Sequence, residues 1–229
     1  MKREARFVFI PFILLLAAAL LNPQSGPTGQ TASLYTEAIR EFEKFAADQM
    51  ALDRTPGLSI AFMKGDFVWA QGFGHADLEN MVPAKPDSSF RMASVTKTFT
   101  AFALLQLVEA GKINLDAEVQ TYVPYFPRKK WPVTVRQVLG HLAGISHYKN
   151  SAAEEHIKEP KNTREAVAIF QDFDLVAEPG TRYNYSTYGY NLLGAVIEGA
   201  SGQSYGDYVK SHVFEPLGMD NSRMDNPAD

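Results

Sequence analysis

The stretch Leu58-Ser-Ile-Ala-Phe-Met-Lys-Gly-Asp-Phe-Val-Trp-Ala-Gln-Gly-Phe-Gly74 constrains the fold most, because it is where the chain reads as sheet. Two β-prone runs flank Lys64-Gly65-Asp66, and a glycine in so short a turn predicts an antiparallel hairpin. What surrounds it is helical. Before it, Ala38, Ile39, Phe42, Phe45 and Ala46 recur at helical spacing, which predicts an amphipathic helix over Tyr35–Met50. After a polar, proline-bearing connection (Asp77–Ser89), Ser94–Ala110 reads as a helix stopped by Gly111, with Phe99, Phe102, Ala103, Leu105 and Leu107 on its core face. A loop-rich middle with a short helix over Val135–Leu142 follows, then helices over Thr163–Phe173, Tyr188–Ala200 and Tyr205–Phe214. The class is therefore α+β with an antiparallel sheet. Two strands cannot cover a helix-backed core, so the sheet reads as incomplete.

Composition narrows the functions. The formal net charge is −4, and no basic stripe could neutralise phosphates, which argues against a nucleic-acid partner. Arg128-Lys129-Lys130 is a short basic cluster that reads as a solvated loop. With no cysteine, disulfides, thiolate metal sites and a cysteine nucleophile are excluded. The histidines (His75, His141, His147, His156 and His212) form no metal-ligand spacing, and no Gly-rich phosphate loop is present. Neither a metal nor a cofactor is implied. His141 and His147 bracket Ala143-Gly144 and would shape a loop.

The N-terminus differs from the remainder. A basic start, Met1–Arg6, leads into the apolar run Phe7–Leu21 and then a polar, turn-forming segment. That order predicts a signal peptide or an uncleaved anchor over 1–22 and a linker over 23–33. One globular domain would then fill 34–229. Export to a periplasmic or extracellular location follows, with membrane association through the N-terminal segment.

The chemically loaded motif is Ser94-Val-Thr-Lys97, at the start of the helix that follows the hairpin. At i and i+3 a hydroxyl and an amine share one helix face. A neutral amine can take the serine proton, and a protonated one can stabilise charge beside it. The helix N-terminus also favours a developing anion at Ser94. Spacing alone is weak, since Ser146-His-Tyr-Lys149 repeats it in a loop-rich stretch. Gly202-Gln-Ser-Tyr-Gly206 matches the nucleophile elbow G-x-S-x-G, but a helical period precedes it where the elbow needs a strand. Gly202 reads better as a helix C-terminal glycine and Ser204 as the N-cap of the next helix, with Asp207 three residues on. The run Tyr183-Asn-Tyr-Ser-Thr-Tyr188 adds phenols, one of which could act as a base beside an ammonium.

Taken in order, these blocks resemble the serine β-lactamase and penicillin-binding-protein superfamily. The likeness is to its class C β-lactamase-related branch and, within it, to the mitochondrial β-lactamase-like proteins. It is carried by GFGHADLENMVPAKPDSSFRMASVTKTFTAF, LVEAGKINLDAEVQTYVPYFP, VTVRQVLGHLAGISHY and EPGTRYNYSTYGYNLLGAVIE, and covers Leu58–Met219. The resemblance implies a β-lactamase/transpeptidase-like fold, an antiparallel sheet flanked by helices plus a helical subdomain. It implies Ser94 as an acylated nucleophile, Lys97 as its proton-transfer partner and Tyr185, rather than Tyr183, as base or relay. The Ser94 backbone N–H would supply half an oxyanion hole. The substrate would be a small molecule or peptide with an amide or ester: a D-Ala peptide, a β-lactam or a simple ester.

Two departures qualify the resemblance. Thr187 stands where the family usually has Asn, and would contact substrate with a single rotatable hydroxyl in place of a planar amide. The family's third motif, K-T-G or H-x-G on a later strand, is absent. The chain is therefore read as a C-terminally incomplete domain with no turnover of its own. The alternative is a non-catalytic member used for binding or self-assembly.

Overall fold

A computed structural model describes residues 29–148 and 161–225, so the apolar run 7–21, Lys149 and His156 lie outside the described residues. The chain divides into two compact units at Ser88/Ser89.

The first unit holds helix α1 (Gly29–Asp53) and a three-stranded antiparallel sheet in the order β1-β2-β3. The helix outruns its predicted bounds at both ends. Strands β1 (Gly57–Lys64) and β2 (Phe67–Asp77) pair in register from Gly57↔Gly74 to Lys64↔Phe67, as the hairpin pattern predicts. Gly65 takes φ +59 in the turn, a conformation that favours glycine. Aromatic contacts tie helix to sheet: the Tyr35 and Phe67 rings lie 4.7 Å apart, and Phe42 meets Trp69 edge-on at 5.9 Å. The third strand, β3 (Val82–Pro83), corrects the reading of Asp77–Ser89 as plain connection. Two residues, one a proline without an N–H, carry no alternation for a sequence pattern to show.

The second unit is helical. A 3-10 turn (Ala93–Val95) runs into α2 (Thr96–Glu109), followed by α3 (Val135–Leu139), α4 (Thr163–Ala168), α5 (Thr187–Ser201) and α6 (Tyr205–Val209). Its core joins Ala103, Leu104 and Leu107 of α2 to Leu192, Leu193, Val196 and Ile197 of α5, with Val135 and Val138 of α3 beneath. Phe102 and Leu105, expected inside, are instead 50% and 45% exposed. The buried stripe of α2 is Thr100, Ala103, Leu104 and Leu107, rotated from the predicted face. The helix is apolar nearly all round, so composition alone could not choose its buried side.

Helix ends follow local chemistry. Thr134 and Gln137 form a capping box on α3, and Asn162 and Glu165 form another on α4. Gly202 terminates α5 at φ +75, and Ser204 caps α6 by accepting from Asp207 N–H, as predicted. Because α5 precedes Gly202, the elbow reading of Ser204 is excluded. Two helices end early. The predicted helix to Leu142 stops at Leu139, since His141 adopts φ +58. The predicted helix to Phe173 stops at Ala168, where tighter bonds such as Phe170 N–H to Val167 O (3.2 Å) take over and turn the Phe170 ring into the core. After α6 the backbone widens into a π turn over Lys210–Phe214 instead of continuing as regular α-helix.

Candidate active site

Three segments of the second unit meet at Ser94. The first is the 3-10 turn bearing Ser94 itself, reached through Ala93 at φ +44. A residue with a Cβ rarely enters that left-handed region, so the turn is strained just where the hydroxyl is presented. Ser94 makes no cap hydrogen bond to the helix, which removes the simple reading of a serine N-cap. The second segment is the first turn of α2, which carries Lys97. The third is the loop ending in α5, which carries Tyr185 and Thr187.

The geometry converges on one oxygen. Lys97 Nζ donates to Ser94 Oγ at 3.2 Å, and Tyr185 Oη donates to the same oxygen at 2.7 Å. Lys97 Nζ also donates to Thr187 Oγ1 at 3.2 Å. The ammonium lies 4.9 Å from the Tyr185 ring centre and 5.7 Å from that of Tyr190. The Lys97 hydrogen bond, followed by that of Ser94, holds the Tyr185 phenol below the ordinary tyrosine range. Tyr183 has no part in this; it is 63% exposed, and its ring meets His141 edge-on.

The Tyr185–Thr187 loop is held from behind by residues 141–147. Asn184 N–H donates to His141 O and its side-chain amide to Ile145 O, both at 2.8 Å. Ser186 Oγ donates to Ser146 O at 2.8 Å and accepts from Gly189 N–H at 2.9 Å, so one hydroxyl caps α5 and joins the loops. Gly144 makes this possible. It takes φ +69, and a Cβ there would lie 2.2 Å from the Ala177 carbonyl oxygen. Burial, then the Lys97 charge and then His147, push the His141 imidazole below its ordinary value.

All four site residues named from sequence are thus within one hydrogen-bonded set. Thr187, expected to contact substrate, spends its hydroxyl oxygen on Lys97. The second S-x-x-K match is not a rival site in the described part: Ser146 is not helical and its Oγ is buried without a partner. Sequence reasoning missed Tyr190. It lies three residues after Thr187 on α5, a spacing that puts the two on one helix face and could have found it.

The family model described as "Beta-lactamase" matches residues 42–229. The chain is 33% identical to the human "Serine beta-lactamase-like protein LACTB, mitochondrial", over 72% of this chain and 42% of that protein. Among solved structures, the octameric penicillin-binding protein homologue from Pyrococcus abyssi aligns with a TM-score of 0.71 and 35% identity, over 79% of this chain and 43% of that one. EstCE1, a hydrolase with promiscuous acyltransferase activity, aligns with a TM-score of 0.63 and 28% identity, over 74% and 49%. The chain thus spans less than half the length of these proteins.

Proposed function

The chain belongs to the Beta-lactamase family, with the α+β fold of its penicillin-binding-protein and β-lactamase-like relatives, and from that premise we propose that it is a serine hydrolase. Ser94 is its acylated nucleophile, acting on an ester or amide. The observation that carries this reading is the double hydrogen bond on Ser94 Oγ, from Lys97 Nζ and from Tyr185 Oη. Whichever of those groups is deprotonated can accept the serine proton without moving.

The Tyr185 phenol is the better acceptor of that proton. Its depressed pKa populates the phenolate nearer neutrality, and the Lys97 ammonium beside it stabilises that anion. In the forward step Ser94 Oγ bonds to the substrate carbonyl carbon as its proton passes to the Tyr185 oxygen. Collapse of the tetrahedral intermediate breaks the bond to the leaving alcohol or amine, which takes the proton back from Tyr185. Water then attacks the acyl-serine by the same route in reverse, releasing the acid. Lys97 stays charged throughout, bonded to Thr187 Oγ1, and holds both oxygens in place. Simple esters suit the site better than β-lactams, because Thr187 offers no planar amide toward a substrate amide. EstCE1, a hydrolase with promiscuous acyltransferase activity and the same fold, supports an acyl-enzyme route.

A fluorophosphonate tests the assignment, because so reactive a probe requires the activated nucleophile more than a complete substrate pocket. Intact-mass analysis should show one adduct, mapped to Ser94 and abolished in Ser94→Ala. Adduct formation that survives that substitution would refute the assignment.

The N-terminal segment supports a further part of the proposal, that the protein works outside the cytoplasm. A basic start followed by an apolar run has the order of an export signal. Fractionation of the source cells, probed with an antibody to the chain, would test it; recovery wholly in the cytoplasm would count against export.

A further inference from the structure

His141 and His147 do more than fill space behind the loop. Ser186 N–H donates to His141 Nδ1 at 3.1 Å, and Thr187 N–H donates to His147 Nδ1 at 3.2 Å. Two successive backbone amides, directly after Tyr185, are therefore received by two imidazoles. Both rings also contact the Tyr185 ring, at centroid distances of 4.6 and 5.4 Å. An imidazole that accepts at Nδ1 is neutral and carries its proton on Nε2.

We propose that His141 and His147 are paired positioning residues that hold Tyr185 and Thr187 in place against Ser94 and Lys97 only while both imidazoles are neutral. The consequence for catalysis rests on the Ser94 reading above, whereas the two hydrogen bonds do not. Protonation at Nδ1 turns each acceptor into a donor, so an N–H would face a backbone N–H. It also adds positive charge to a cluster already containing the Lys97 ammonium. Among the described residues the groups facing the pair include Lys97 from α2, Tyr183 and Tyr185 from the loop before α5, Tyr190 from α5, and Tyr148 beside His147. At His141, burial and then the Lys97 charge work against an imidazolium. Protonation of the pair therefore releases the loop carrying Tyr185.

Two measurements on the intact chain test this. The first needs no variant: long-range proton–nitrogen NMR correlation of the histidines, with amide exchange of Ser186 and Thr187. Near pH 7.5 both rings should be the Nε2–H tautomer. On acidification through their titration, protection of the Ser186 and Thr187 amides, corrected for intrinsic exchange, should fall at least tenfold. The Gly189 amide, bonded to Ser186 Oγ, should keep its protection. An Nδ1–H tautomer in either ring, or protection unchanged as the rings titrate, overturns the proposal.

The second measurement is the pH profile of phosphonate labelling. One deprotonation gives a slope of about 1 in log rate against pH, and the latch steepens it below the imidazole transition. His141→Asn with His147→Asn supplies an uncharged acceptor near each Nδ1, and Asn tolerates the φ of +58 at position 141. That pair should lose the extra steepening. His147→Leu, which has no acceptor, should slow labelling about tenfold or more above the imidazole transition and approach wild type below it, with His147→Asn restoring the rate. Identical profiles in wild type and the Asn pair overturn the latch. Absence of any Ser94 label with intact NMR signatures refutes the nucleophile assignment and leaves the positioning role standing.

Discussion

Replacing Tyr185 with phenylalanine isolates a single atom of the proposed machinery. The substitution removes Oη, which donates to Ser94 Oγ at 2.7 Å, and leaves the ring in contact with His141 and Lys97. Two consequences separate by size. Tyr185 is 36% exposed, and Ser94, to which its hydroxyl donates, is itself exposed. The stability cost is then at most about 1 kcal/mol, the net worth of an ordinary hydrogen bond. The rate cost is larger, because a positioned general base contributes roughly 10²–10⁴-fold. Tyr185→Phe should therefore slow fluorophosphonate labelling of Ser94 by about 10²-fold or more while shifting the melting temperature by only a few degrees. Label formation would be followed by intact mass over time, and unfolding by circular dichroism on the same samples. Tyr183→Phe is the matched control and should stay within about twofold of wild type. A labelling rate for Tyr185→Phe within about threefold of wild type would refute the base assignment, as would equal loss in the Tyr183 control.

Three further outcomes follow from the same geometry. The labelling rate should rise with pH through the pKa of Tyr185 and level off below the ordinary tyrosine value near 10. The sign is that of a phenol whose charged form is favoured in the folded state, so activity is lost as pH falls through the folded pKa; a rate flat from pH 6 to 10 would contradict it. Thr187→Val removes the Lys97 acceptor at 3.2 Å while keeping shape, and should slow labelling about tenfold as the ammonium loses one anchor; Thr187→Ser should recover most of that loss. Gly144→Ala should lower stability by about 2 kcal/mol or more, read by urea unfolding, since the new Cβ would lie 2.2 Å from a carbonyl oxygen at φ +69; an unchanged midpoint would show that the loop can give way.

Legibility in the sequence tracked the range of the interaction that fixes each feature. The hairpin, the starts of the two capping-box helices and the Gly202 stop rest on neighbours in sequence, and pattern reads them correctly. The buried side of α2 does not, because Phe102 and Leu105 are as apolar as Leu104 and Leu107; packing against α5 decides which face goes inside. Strand β3 is defined wholly by its partner in β2. The site divides the same way. Ser94 and Lys97 are local, one helical turn apart. Tyr185 lies 91 residues from Ser94, and the choice of it over Tyr183 came from a family likeness, not from any spacing rule. The acceptor role of the two histidines had no sequence signal, since Nδ1 meets backbone amides that every residue but proline carries.

Lys97 joins the local and the long-range parts of the site. A lysine in the first turn of a helix faces the positive end of the backbone dipole and ordinarily costs stability there. Here its ammonium meets two hydroxyl oxygens and two aromatic faces, from Ser94, Thr187, Tyr185 and Tyr190, and no carboxylate among the described residues. A carboxylate partner would relieve the dipole conflict and also neutralise the charge. Neutral acceptors fix the ammonium in space while leaving its field uncancelled at Ser94 Oγ and Tyr185 Oη, the two atoms that carry negative charge in the proposed proton transfer. The same lack of a counter-ion disfavours further positive charge nearby, which ties the neutrality of His141 and His147 to the placement of Lys97. The lysine that looks misplaced on its own helix is therefore the residue that sets the electrostatics of the whole site.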